Sequence, residues 1–137
     1  MVEYLGTEDA LAVAVVNAIH TGDTSALERL LAANPGLATM RLGDQCGMSR
    51  TWLHVLTDWP GHFLSGPTTV EVLVAAGADV NARFMGSHAE TPLHWAASSN
   101  DVAVLDALLD AGADIEAPGA VIGGGSPLAK ASSIGQW

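Results

Sequence analysis

The order of apolar and polar residues along the chain predicts a series of short amphipathic helices. The clearest apolar face falls at positions i, i+1, i+4 and i+5 of one segment, at Val104, Leu105, Leu108 and Leu109. Similar faces predict a helix that closes at Gly77, a helix capped by Asp23 or Thr24, and a first helix over residues 7–20. The pattern therefore predicts an all-α fold.

Glycine marks the end of two of these helices. Gly77 and Gly112 each follow an alanine at the close of an apolar helix. Glycine adopts the left-handed backbone of a helix end freely, because it has no side chain to clash. We therefore predict a positive φ angle at both residues.

Two motifs recur at one fixed distance. The segment AGADVNA at 76–82 returns as AGADIEA at 111–117, and TPLHWA at 91–96 returns as SPLAKA at 126–131. Residue 111 follows residue 76 by 35 positions, and residue 126 follows residue 91 by the same 35. A shared offset indicates one structural unit used repeatedly, so the chain is predicted to be a stack of units.

Each unit is predicted to contain two helices. In the best copy Thr91 caps the first helix and Pro92 occupies its first turn, where a missing N–H costs nothing. The predicted units cover about 8–40, 48–83, 88–117 and 123–137. The last unit has a first helix only, and a glycine-rich link precedes it.

The motif TPLHWAA at 91–97, followed by LLDAGADI at 108–115, resembles the ankyrin repeat. The resemblance extends over about residues 8–137. It implies a short solenoid of helix-turn-helix units joined by extended hairpin loops, with three full repeats and a C-terminal half repeat. It also implies a concave face, formed by loop tips and first helices, that holds another protein.

One unit is longer than the others between its two helices. Thr51 and Val70 are 19 residues apart, whereas Thr91 and Leu105 are 14 apart. The extra residues fall in the segment 58–67, which contains proline and glycine. This composition predicts a loop and not a longer helix.

Composition and charge limit the partners, the disulfides and the location that we expect for this chain. The chain of 137 residues has 5 Lys+Arg and 15 Asp+Glu, a net charge of −10, and no basic patch, so we expect no nucleic-acid partner. Cys46 is the single cysteine, which rules out an intramolecular disulfide. The acidic N-terminus and the short apolar run at 10–16 predict neither a secretion signal nor a membrane span. A cytoplasmic location is expected.

The histidines are predicted to be structural. His54 and His94 each stand three residues after the threonine that opens a first helix, and the resemblance implies hydrogen bonds to neighbouring backbone. His54, Asp58 and His62 have the i, i+4, i+8 spacing of a metal site, but residues 60–61 (Pro-Gly) interrupt the helix that such a site needs. We find no nucleophile motif and no phosphate-binding loop, so no cofactor, metal or catalysis is expected.

Trp95 is the most informative exposed candidate. Alignment of the units places it in a row with Asn17, Val55 and Lys130, and the resemblance implies that this row faces the concave side. A tryptophan there either anchors a partner or packs on the insertion, against Trp59 or Phe63. The predicted partner contacts are Asp58, Arg83, Phe84, His88, Glu90 and Trp95.

We predict a non-enzymatic module that binds a neutral or basic protein or peptide on its concave face. A small-molecule binder or enzyme is a second interpretation, with a pocket between the 58–67 loop and the concave face lined by His20, Asp58, His62 and His88. A structural homo-oligomer, or a fragment of a longer array, is a third. The unpaired last helix predicts self-association through the C-terminal end, or coverage of that end by Trp137.

Overall fold

A computed structural model describes residues 4–43, 48–58, 60–85 and 90–114. In these residues six α-helices follow one another in consecutive pairs: α1 Ala10–Thr21 and α2 Thr24–Ala33, α3 Trp52–Thr57 and α4 Gly66–Ala75, α5 Pro92–Ser98 and α6 Val102–Asp110. The pairs confirm the predicted all-α repeat architecture. The half repeat at 123–137 lies outside the described residues.

The helix ends follow the residues that predicted them. Asp23, and not Thr24, is the N-cap of α2, and its carboxylate accepts a hydrogen bond from the backbone N–H of Ala26 at 3.0 Å. Gly77 and Gly112 have φ angles of 111° and 102°, which confirms the predicted left-handed ends of α4 and α6.

Short strands join the repeats at one edge. Strand β1 (Tyr4–Leu5) runs parallel to β2 (Arg41–Gly43), and β2 pairs antiparallel with β3 (Ser49–Arg50). Ser49 also exchanges two backbone hydrogen bonds with Met85, at 2.9 and 2.8 Å. These pairings place the hairpin before the second repeat next to the hairpin before the third.

The core lies between the helix pairs and runs along the stack. The first helices α1, α3 and α5 contact one another in sequence, and so do the second helices α2, α4 and α6. Trp52 is fully buried and its indole Nε1 donates to the carbonyl oxygen of Leu37 at 2.8 Å, which satisfies its polar atom. Each repeat therefore covers the apolar flank of the next.

The insertion in the second repeat is shorter than predicted. The predicted loop spans residues 58–67, but α4 already begins at Gly66, and Pro67 stands in its first turn. Proline suits this position because the first turn of a helix needs no donor from that residue. The residues that connect α3 to α4, 58–65, are called the insertion loop below, and residue 59 is not among the described ones.

Candidate functional site

His54 is held by both ring nitrogens in the interior of the second repeat. The backbone N–H of Thr51 donates to Nδ1 at 3.2 Å, so the ring proton is on Nε2, which donates to the carbonyl oxygen of Glu90 at 2.9 Å. Burial lowers the pKa of His54 to about 3. The imidazole is therefore neutral and ties its own helix to the hairpin of the next repeat.

His94 occupies the equivalent position in the third repeat. Its Nδ1 accepts from the backbone N–H of Thr91 at 3.1 Å and lies 2.7 Å from the threonine Oγ1. Both histidines belong to a capping box, because each threonine side chain also lies at the N–H of its own histidine. The predicted hydrogen bonds of the two histidines to neighbouring backbone are confirmed, and they are equivalent at Nδ1.

Trp95 lies in an aromatic cluster between the second and third repeats. Its ring centroid is 4.8 Å from that of His54, in an edge-on contact, and 5.3 Å from that of Phe84, in a tilted contact. The indole Nε1 donates to Oε1 of Glu90 at 3.2 Å. Glu90 is buried, so its carboxylate fixes the orientation of the indole from below the surface.

The aromatic contacts of Trp95 are not with Phe63 of the insertion, which was one of its two expected neighbours. Phe63 stacks on His20, with ring centroids 4.6 Å apart, while Trp95 contacts His54 and Phe84. Trp59, the other expected neighbour, lies outside the described residues. Trp95 packs instead on the hairpin ahead of the third repeat. This hairpin is held in place by the backbone bonds of Ser49 to Met85 and by the bond of His54 to the Glu90 carbonyl oxygen.

The buried side chain of Arg41 forms hydrogen bonds to both hairpins. Its Nε donates to Oγ of Ser49 at 2.8 Å, and its Nη2 donates to the carbonyl oxygens of Ser49 and Arg83 at 3.0 and 2.6 Å. Burial lowers the pKa of the guanidinium. A single side chain therefore joins the second hairpin to the third, and positions Phe84 next to α5.

Two exposed methionines flank this junction. Met48 is 64% exposed and Met85 is 45% exposed, and the backbone pairing of Ser49 with Met85 makes them neighbours. Phe84 and Trp95 are half-buried beside them. All four residues lie in or beside the paired hairpins, and we call Met48, Phe84, Met85 and Trp95 the hairpin strip.

The structure brings together three of the six predicted contact residues, Phe84, Glu90 and Trp95. Arg83 adjoins them, and Arg41 holds its backbone carbonyl. Asp58 forms an ion pair with Arg50 at 2.8 Å. His88 lies outside the described residues.

The row of aligned positions is less uniform than predicted. Val55 is buried in the core, whereas Asn17 is exposed and Trp95 is half-buried. Sequence reasoning also missed Met48. It stands three residues before Thr51, as His88 stands before Thr91, so alignment by the threonines would have marked it as a hairpin position.

The residues of the second interpretation have separate partners. His20 stacks on Phe63, Asp58 pairs with Arg50, and His62 donates from Nε2 to the carbonyl oxygen of Ser99 at 2.9 Å. Within the described part of the chain, no group of three or more His, Cys, Asp or Glu side chains could hold a metal ion. The described residues therefore give this interpretation no convergent polar site.

Comparison with known proteins agrees with this architecture. A family model described as ankyrin repeats, in three copies, matches residues 15–119. The chain belongs to the ankyrin repeat family.

One curated relative is the RelA-associated inhibitor of Mus musculus. It is 54% identical over 46 residues, which is 34% of this chain and 5% of that protein. The chain thus matches a small fraction of the relative's length. Among the described helices, none has the length and apolar character needed to cross a membrane.

Proposed function

We propose that this chain is a non-enzymatic interaction module that binds a protein or peptide through the hairpin strip. Ankyrin repeats are generally protein–protein interaction modules, and their arrays offer a continuous surface in place of a deep pocket. The partner lies across the junction of the second and third hairpins and reaches the concave side at Trp95.

The observation that carries the proposal is the exposure of Met48 and Met85 beside the aromatic cluster. Methionine side chains are flexible and polarisable, so they adapt to an apolar partner surface. Tryptophan is enriched among residues that dominate binding energy, and Trp95 is held by Glu90 before any partner arrives. The strip therefore combines adaptable contacts with a preorganised anchor.

The net charge supports a neutral or basic partner. With a net charge of −10 the whole chain attracts positively charged partners over long range. The ion pair of Arg50 and Asp58 adds no net charge near the strip. We propose that an apolar segment of the partner occupies the strip and that basic residues around it raise the association rate. We also propose a cytoplasmic location, in keeping with a single cysteine.

A displayed peptide library tests this proposal, because it offers the strip many candidate partner sequences at once. Peptides are selected on the immobilised chain, and the strongest is synthesised for titration calorimetry. We compare the wild type with Trp95→Ala and with a double variant, Met48→Ala and Met85→Ala. The matched control is Val102→Ala, because Val102 is 49% exposed on α6 and lies outside the strip.

Loss of the anchor should weaken binding of the selected peptide by about tenfold to 100-fold, the range of a binding hot spot. The exposed methionines should contribute a smaller loss, and Val102→Ala should stay within about twofold of the wild type. Equal affinities for the wild type and both strip variants, or a loss only with Val102→Ala, would overturn the proposal.

A further inference from the structure

The insertion loop makes specific contacts with the third repeat. The backbone N–H of His62 donates to Oδ2 of Asp101 at 2.8 Å. The His62 ring donates from Nε2 to the carbonyl oxygen of Ser99 at 2.9 Å. A loop that belongs to the second repeat is thus bonded to the turn between α5 and α6.

The next residues of the same loop contact the first repeat. The Phe63 ring stacks on the His20 ring near the end of α1, at 4.6 Å and an interplanar angle of 25°. Leu64 crosses so close to Gly22 that a Cβ atom at Gly22 would fall 2.4 Å from the Leu64 carbonyl oxygen. The loop therefore touches both neighbouring repeats within three consecutive residues, 62–64.

The backbone of the loop is not in a relaxed conformation. His62 and Ser65 have φ angles of 58° and 57°, in the left-handed region that disfavours residues with a side chain. Such residues persist where surrounding contacts determine their conformation. For His62 those contacts are its bonds to Asp101 and Ser99 and the stack of the adjacent Phe63 on His20.

Asp101 has two tasks that meet in one buried carboxylate. Its Oδ1 accepts from the backbone N–H of Val104 at 3.4 Å and caps α6, while its Oδ2 holds the loop at His62. A hydrogen bond to a charged acceptor is stronger than one between neutral groups. The start of a helix in the third repeat is therefore joined directly to the loop that stacks on the first.

We infer that the insertion loop is a clasp that couples the first repeat to the third. In a simple repeat array each unit interacts with its immediate neighbours alone, so a change in one repeat reaches a distant one only through the repeat between. The clasp adds a second route within the second repeat, because residues 62–64 connect its two neighbours directly and not through the stacked helices. It keeps the first and third repeats in a fixed relation, and this coupling is independent of any bound partner.

NMR spectroscopy of His20 tests the coupling in the direction from the third repeat to the first. The variant is Asp101→Ser, because serine is a good N-cap for α6 but is too short to hold His62. The matched control is Asp106→Asn, which removes a charge from the exposed surface of the same helix. His20→Gln assigns the ring signals.

The ring current of Phe63 shifts the stacked His20 C–H signals upfield. In Asp101→Ser these signals should move downfield toward their values in an unstructured peptide, and in Asp106→Asn they should not move. An unchanged His20 spectrum in folded Asp101→Ser would overturn the clasp, since the first repeat would then not sense its loss.

The reverse direction provides a second test, because coupling between two sites is reciprocal. Phe63→Ala removes the stack on the first repeat, and Leu64→Ala is its control, since the Leu64 side chain is 74% exposed. Phe63→Ala should speed hydrogen exchange of the His62 amide, which is bonded to Asp101, by about tenfold or more. Equal exchange rates in Phe63→Ala and Leu64→Ala would contradict the inference.

Discussion

At the scale of single residues, the buried side chain of His54 forms hydrogen bonds to two backbone groups at once. The His54 ring accepts from the backbone N–H of Thr51 and donates to the carbonyl of Glu90, so both nitrogens are satisfied without a charge. The arrangement stabilises the neutral form alone. Protonation would replace an acceptor by a donor at Nδ1, facing another donor.

The low pKa of His54 predicts that stability falls in mild acid. The pKa is about 3 in the folded chain and 6.5 in the unfolded chain. Between pH 6.5 and pH 3 the His54 imidazole is therefore protonated in the unfolded state and neutral in the folded state. In this range the free energy of unfolding falls by about 1.4 kcal/mol for each unit by which the pH falls.

Chemical denaturation at several pH values measures this dependence. His54→Gln should lose that part of the slope between pH 6 and pH 4, whereas His20→Gln, which removes an exposed imidazole, should keep it. Parallel pH profiles for the wild type and His54→Gln would contradict the assignment.

We predict that Glu90 positions Trp95 through its hydrogen bond to the indole. Glu90→Ala leaves the indole N–H without its acceptor and should lower the free energy of unfolding by about 1–3 kcal/mol. Glu90→Gln retains an oxygen in place and should lose less. Urea denaturation gives both values, and the Trp95 indole N–H signal reports the bond. Equal losses in the two variants would show that the bond to the indole is unimportant.

At the scale of elements, the ends of helices carry most of the local information. Aspartate or threonine is the N-cap of five of the six described helices, and Gly22, Gly77 and Gly112 follow three of them with positive φ. The surroundings of these glycines differ. A Cβ atom at Gly77 would meet nothing within 4 Å, whereas one at Gly22 would overlap the backbone of Leu64.

This difference predicts unequal costs for the same substitution. Gly77→Ala should lower the free energy of unfolding by about 1–2 kcal/mol, the cost of a left-handed alanine. Gly22→Ala should cost more, because the insertion loop must also move away. Thermal or urea denaturation of the two variants gives the comparison. A Gly22→Ala loss no larger than that of Gly77→Ala would mean that the loop does not press on α1.

At the scale of the whole molecule, the array couples its units through three kinds of contact. The helices stack, the hairpins are joined by Arg41 and by the pairing of Ser49 with Met85, and the insertion loop bridges the opposite edge. Contacts between repeats therefore hold both edges of the array. The C-terminal end of the array lies outside the described residues.

The sequence by itself determined the elements, their order and their repetition. Caps, glycine ends and the threonine–histidine pairs act over three or four residues, so a linear pattern contains all the interacting groups. The left-handed ends at Gly77 and Gly112 follow from such patterns, whereas the structural role of His54 follows from the resemblance to the ankyrin repeat. The fixed offset of 35 residues predicted a stack of units, and the ankyrin resemblance implied that each unit is a helix-turn-helix.

The tertiary structure alone decided which surfaces these elements form. Met85 pairs with Ser49, His62 with Asp101, and Phe84 with Trp95, and the first two pairs join residues more than 30 positions apart. The periodicity of apolar residues does not predict these contacts, because they depend on how far each unit is rotated and shifted against the next. The burial of Glu90 and the path of the insertion loop are set by the same packing, and with them the hairpin strip and the clasp.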